Sequence, residues 1–155
     1  MPEASLDLAK LLAQQKNFDR AIEVVQPALA MVTLKEEAML LEASWRRENG
    51  DLSGAIARLE ELIKTHSYRV PTHFALADYL IEAGDYREAE RRLRSGLEMQ
   101  PQNTAAVLKL AGCLEKIGKL DEAARLYTML ANSGDPANPV VQSSAQALER
   151  LKIGK

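Results

Sequence analysis

Apolar residues recur three or four apart through almost the whole chain, the spacing of amphipathic helices rather than the alternation of half-buried strands. Leu76, Ala77 and Leu80 share one face of a helix expected from Pro71 to about Ala83. Ala89, Leu93 and Leu97 share one face of a second, from about Tyr86 to Met99. Gly84 between them can take the left-handed conformation that ends a helix. Asp85 can cap the next helix, and Pro101 stops it.

The same sentence is written four times. Ala21, Ala55, Ala89 and Ala123 are 34 residues apart, as are Gly50, Gly84 and Gly118, and Ala9, Ala43, Ala77 and Ala111. The chain therefore divides into repeats 2–35, 36–69, 70–103 and 104–137, each a pair of helices around a turn. Gly50–Asp51 and Gly118–Lys119 mark that turn in the neighbouring repeats. The first repeat has Lys16–Asn17, where Asn is expected to accommodate the turn. Pro27 removes a backbone donor and is expected to kink the second helix of that repeat. A hairpin of this length cannot bury both apolar faces alone, so neighbours must stack, and Ala lets the backbones approach. Residues 138–153 read as one more amphipathic helix, starting at Pro139, with Val141, Ala145 and Leu148 as its stripe and a polar outer face suited to capping a stack.

Composition agrees. Among 155 residues there are 23 Ala and 23 Leu, while aromatics make up 5%, which favours an all-α chain over sheets. A net charge of −2 supplies no broad positive field, so nucleic acid is not an expected partner. Asp7 and Lys10 break the apolar residues of the N-terminal segment, and no stretch approaches the ~18 apolar residues of a membrane span. The expectation is a soluble, cytoplasmic chain with no direct membrane insertion.

Chemistry is sparse. Cys113, alone among Leu110, Ala111, Leu114 and Ile117, reads as a small buried hydrophobe. His66 and His73 stand seven apart and read as structural rather than metal-ligating. Neither a phosphate-cradling glycine motif nor a nucleophile–base pairing is present, so no catalytic residue, cofactor or metal is expected. Arg87, Arg91, Arg92 and Arg94 are interleaved with Glu88, Glu90 and Glu98, which reads as a solvated face of intrahelical ion pairs.

Over residues 2–137 the pattern resembles the tetratricopeptide repeat family. Ala77, Gly84, Tyr86, Ala89 and Pro101 carry its signature best, followed by Leu110, Ala111, Gly118, Ala123 and Tyr127. The Trp expected early in each first helix is replaced by Ser5, Met39, His73 and Val107, and Glu42 takes an expected Leu position. The resemblance implies a right-handed α-solenoid of antiparallel helix hairpins that binds another protein or a peptide segment in a concave groove. It places Leu6, Leu40, Phe74 and Leu108 at one groove position, flanked by Lys10, Leu41, Ser44, Arg47, Asp78 and Lys109. That apolar series is either a binding stripe or packing between adjacent first helices. The Lys and Asn with which some family members clamp a terminal carboxylate are absent: those positions hold Leu6 with Lys10, Leu41 with Ser44, and Pro71 with Ala75. The expected function is a non-catalytic adaptor, alone or within a larger assembly or secretion component. Self-association into homo-oligomers, through the stack ends, the groove, or Met31, Val32 and Leu34, is the second reading.

Overall fold

Helix follows helix, joined by tight turns, in the computed structural model, which describes residues 1–65 and 70–153; no strand occurs among them. In chain order the helices are α1 (Pro2–Gln14), α2 (Phe18–Val24), α3 (Gln26–Leu29), α4 (Val32–Glu48), α5 (Leu52–Thr65), α6 (Val70–Glu82), α7 (Tyr86–Met99), α8 (Thr104–Lys116), α9 (Leu120–Ala131) and α10 (Pro139–Ile153). The chain divides into two compact units, Met1–Tyr79 and Leu80–Lys155, with the division falling inside α6. No described helix is long and apolar enough to cross a membrane.

The four expected turns share one hydrogen-bond pattern. The backbone N–H groups of Asn17, Asp51, Asp85 and Lys119 donate to the carbonyls of Leu12, Arg46, Leu80 and Leu114, at 2.8–2.9 Å. Each bond closes the end of a helix as in a Schellman motif, which requires a left-handed residue just before the donor. Gly50, Gly84 and Gly118 supply it with φ of 87°, 80° and 83°. In the first turn the left-handed residue is Lys16, at φ 60°, and not Asn17, whose φ is −90°. Asn17 instead stands where Asp51 and Asp85 stand, one residue later. Asp51 and Asp85 cap α5 and α7, accepting from the N–H groups of Gly54 at 2.9 Å and Glu88 at 3.1 Å. Asp51 comes so close that a Cβ on Gly54 would collide with its carboxylate. That bond and Arg46 hold the Asp51 carboxyl below the usual carboxylate range.

Pro27 has the expected effect. The helix that begins at Phe18 stops at Val24, and α3 restarts with Pro27 in its first turn, where a missing donor costs nothing. The Gln26 side-chain amide donates to the Ile22 carbonyl at 2.7 Å, engaging a carbonyl beside the break.

Packing follows the alanine register. Ala9, Ala43, Ala77 and Ala111 on the first helices and Ala21, Ala55, Ala89 and Ala123 on the second are all 0% exposed. In the first unit Leu6, Val25, Ala28, Ala38 and Trp45 join this core, bringing α1, α2, α3 and α4 together. In the second, α7, α8, α9 and α10 pack in sequence around Leu93, Leu110, Leu114, Tyr127 and Leu130. The stripe of α10 differs from expectation: Val141, Ser144 and Ala147 are buried, Leu148 is half-buried and Ala145 is exposed.

Lys16 in the left-handed region sets up the first test. A Cβ there costs about 1–2 kcal/mol, part of which a glycine forfeits again through its freer unfolded state. Lys16→Gly is expected to stabilise the chain by about 0.5–1 kcal/mol in urea denaturation, and no gain would show the turn to be unstrained.

Candidate partner-binding face

The groove residues expected from sequence fall on α1, α4, α6 and α8, all first helices of their hairpins. Within the first unit, Lys10 of α1 and Glu37 of α4 form a cross-helix ion pair at 2.7 Å. The hydrogen bond that Lys10 donates to Glu37 is the main cause that raises the Lys10 pKa. Two clefts lie on this side of the first unit, one where α1, the first turn and the start of α2 meet α4, the other on α4. The larger, 550 Å³, is lined by Lys10, Ala13, Gln14, Lys16, Phe18, Leu41, Ser44, Trp45 and Glu48. The smaller, 400 Å³, is lined by Thr33, Glu36, Glu37, Leu40 and Leu41. Leu41 borders both, so the clefts adjoin.

The remaining positions are more dispersed. Leu6 is 3% exposed and belongs to the core with Ala9 and Val25, so it is packing rather than an open member of the stripe. Leu40, Phe74 and Leu108 are half-buried, as is Asp78. Arg47 is exposed and its guanidinium sits 5.3 Å from the centre of the Tyr79 ring, linking α4 to α6 by a cation–π contact. Leu108 and the exposed Lys109 belong to the second unit. Sequence reasoning missed Ala13, Gln14, Lys16, Phe18, Thr33, Glu36, Glu37, Trp45 and Glu48 as lining residues.

Charged residues elsewhere are largely engaged in holding helices together. Glu42, in a slot where the neighbouring hairpins carry Leu, is wholly buried. Its Oε1 accepts from Arg46 Nε and Nη2 at 2.9 and 2.7 Å, and its Oε2 lies 2.9 Å from Arg58 Nε. A buried carboxylate persists because two guanidinium groups compensate it. Arg91 pairs with Glu88, Arg92 lies 2.8 Å from Glu88, and Arg94 bonds Glu90 at 3.0 Å and Glu122 of α9 at 2.5 Å. Burial works to raise the Glu90 carboxyl, but hydrogen bonds from Lys119 and Arg94 win and hold it below the usual carboxylate range. The arginine run is thus an ion-paired face that also ties α7 to α9. His73 and Cys113 are buried, His66 lies outside the described residues, and no His, Cys, Asp and Glu group among the described residues could hold a metal ion.

The chain belongs to the tetratricopeptide repeat family. That family's model matches residues 46–101 and 80–149, together more than half of the chain. Cellulose synthase operon protein C of Xanthomonas axonopodis pv. citri (strain 306) is 30% identical over 160 residues, covering 98% of this chain. This chain spans 10% of that relative's length. A tetratricopeptide repeat protein from Parabacteroides merdae shares the fold, with a TM-score of 0.87, 13% identity and coverage of 99% of this chain and 60% of that one. YrrB, described as a tetratricopeptide repeat protein with an unusual peptide-binding site, shares it with a TM-score of 0.76, 18% identity and coverage of 97% and 77%. The all-α hairpin solenoid of the family is therefore the fold of this chain, and the family is in general a protein-interaction module.

Glu115, beside the expected groove positions of α8, is held by its own unit. Arg150 of α10 bonds it at 2.8 and 2.9 Å, and the Tyr127 hydroxyl donates to it at 3.1 Å. Burial, then the Glu115 hydrogen bond, pushes the Tyr127 pKa up to about 12. The folded chain thus keeps this proton more tightly than the unfolded chain, whose tyrosine titrates near 10. The resulting stability is fully present below pH ~10 and is lost as pH rises towards 12. In thermal melts the chain is expected to lose on the order of 1–2 kcal/mol more over that interval than Tyr127→Phe does. Parallel losses in the two proteins would remove Tyr127 from the account.

Proposed function

We propose that this chain is a non-catalytic adaptor that holds an extended or helical segment of a partner protein against the first-helix face of its hairpins. Its repeats run 2–35, 36–69, 70–103 and 104–137, with 138–153 as a capping helix. The observation that carries the reading is the adjoining pair of clefts on α1 and α4. They combine the apolar Leu40 and Leu41 with Lys10, Ser44, Glu36 and Glu37 at their walls. An apolar floor with charged walls of both signs suits a peptide bearing an apolar stripe and mixed flanking charge. Arg47 of α4 and Phe74 and Asp78 of α6 are further candidates in the first unit, and Leu108 and Lys109 of α8 are candidates in the second unit by itself. The peptide-binding description of YrrB and the small share of Cellulose synthase operon protein C spanned by this chain support an adaptor working within a larger assembly.

Burying one such aliphatic or aromatic side chain against a ligand contributes about 1.5–3 kcal/mol gross. Ordering and rigid-body costs take much of this, so affinity near micromolar is expected. In affinity capture, Leu40→Glu with Phe74→Ala is expected to lose partners that the unmodified chain and an Arg91→Glu control retain, with circular dichroism unchanged. Recovery of the same partners by the double variant would contradict the groove reading.

A further inference from the structure

The repeats differ at the start of their first helices, and the difference at α4 has a chemical meaning. Where α4 carries Glu36 and Glu37, the 34-residue register gives Pro2 and Glu3 on α1, Val70 and Pro71 on α6, and Thr104 and Ala105 on α8. One turn later α4 carries Leu40 and Leu41, where the others carry Leu6 with Asp7, Phe74 with Ala75, and Leu108 with Lys109. Of these four helices, α4 alone sets two carboxylates one turn ahead of two leucines. Residues four apart are neighbours on a helix surface, so each carboxylate borders its own leucine. These four residues and Thr33 line the smaller cleft. Its polar lining is one hydroxyl and two carboxylates, and among the described residues no lysine or arginine lines it. Lys10 reaches Glu37 Oε1 from α1 at 2.7 Å, yet the Glu37 side chain stays 51% exposed. A carboxylate has about four acceptor positions, so one ammonium does not fill it. Asp7 acts on the same ammonium through its charge, so Lys10 is shared between carboxylates.

Taking the clefts as the partner site, we infer that the smaller one receives a basic side chain of the partner segment and the larger one an apolar side chain. A lysine or arginine has an apolar stem and a charged head, and the cleft presents leucines to the first and carboxylates to the second. A guanidinium fits best, because its planar fork meets a carboxylate through two parallel hydrogen bonds. The larger cleft has Ala13, Phe18, Leu41 and Trp45 in its walls, an apolar and aromatic surface. On α4 the smaller cleft runs from Thr33 to Leu41 and the larger from Leu41 to Glu48. Their midpoints are about 11 Å apart along the helix, about three residues of an extended segment or two turns of a helical one. The occupant is thus a protein segment with a basic residue and an apolar residue at that separation.

The test is selection of random peptides displayed on phage against the intact 155-residue chain. It is repeated against Leu40→Ser/Leu41→Ser and Glu36→Gln/Glu37→Gln, with circular dichroism confirming that both variants fold. Peptides selected on the unmodified chain are expected to pair an arginine or lysine with an aliphatic or aromatic residue at the stated separation, and to fail on the serine variant. A synthetic copy of the most enriched peptide is expected to lose about tenfold in affinity when norleucine replaces its basic residue. It should lose no more when the same change is combined with Glu36→Gln/Glu37→Gln, while Glu98→Gln, at an exposed carboxylate of α7, leaves the affinity unchanged. Selected peptides that need the leucines but carry no basic residue, carry acidic ones, or bind equally with norleucine would overturn the inference and leave the groove reading standing. Peptides indifferent to the leucines, or no selected peptide at all, would overturn the groove reading and the inference with it.

Discussion

Eight alanines with no exposed surface set the geometry of this protein. At Ala9, Ala43, Ala77 and Ala111, and again at Ala21, Ala55, Ala89 and Ala123, a first and a second helix carry a side chain of one carbon. Close helix approach at these points lets larger neighbours such as Leu59, Leu93 and Leu114 interdigitate to the density of a protein interior. A longer side chain at any of them would force the helices apart or push neighbours off their rotamers. The turn chemistry then has one task, to return the chain so that the alanines meet. The shared hydrogen bond at Asn17, Asp51, Asp85 and Lys119 shows that it does so the same way four times.

Apolar burial of this kind has no direction along the stack, and the ion pairs between helices supply some. Arg58 of α5 reaches Glu42 of α4, Lys119 reaches Glu90 of α7 at 2.7 Å, and Arg150 of α10 reaches Glu115 of α8. Exposed pairs are each worth at most about 1 kcal/mol. Their value is greater where one member is buried, as Glu42 is, because an offset of one turn would strand a charge away from water. The proposed binding role rests on the α1/α4 face, whose adjoining clefts have Leu40 and Leu41 at their walls.

Much of the fold was legible in the sequence because it is periodic. Helix ends at Met99 and Pro139, the break before Pro27 and the cap at Asp85 all follow from local chemistry that a single residue type announces. What escaped was set by neighbours. Lys16 occupies the left-handed position because the hairpin closure demands it, against the preference of its own side chain. Ala145 matches a buried register yet is exposed. The site was less legible than the fold. Leu6 and Leu40 hold the same register, but Leu6 sinks into the core while Leu40 borders a cleft. Periodicity gives the direction of a side chain and not the depth of its surroundings.

If stacking between neighbours carries stability, protection should depend on how many neighbours a helix has. Helix α8 packs against α7, α9 and α10, and α4 packs against α1, α2, α3 and α5. Native-state amide hydrogen exchange reads this helix by helix. Exchange is expected to be slowest in α4 and α8 and faster in α9, which packs against α8 and α10, and in α10, which packs against α8 and α9. Equal protection across all four helices would mean that the chain opens only as one cooperative core, and would contradict the account.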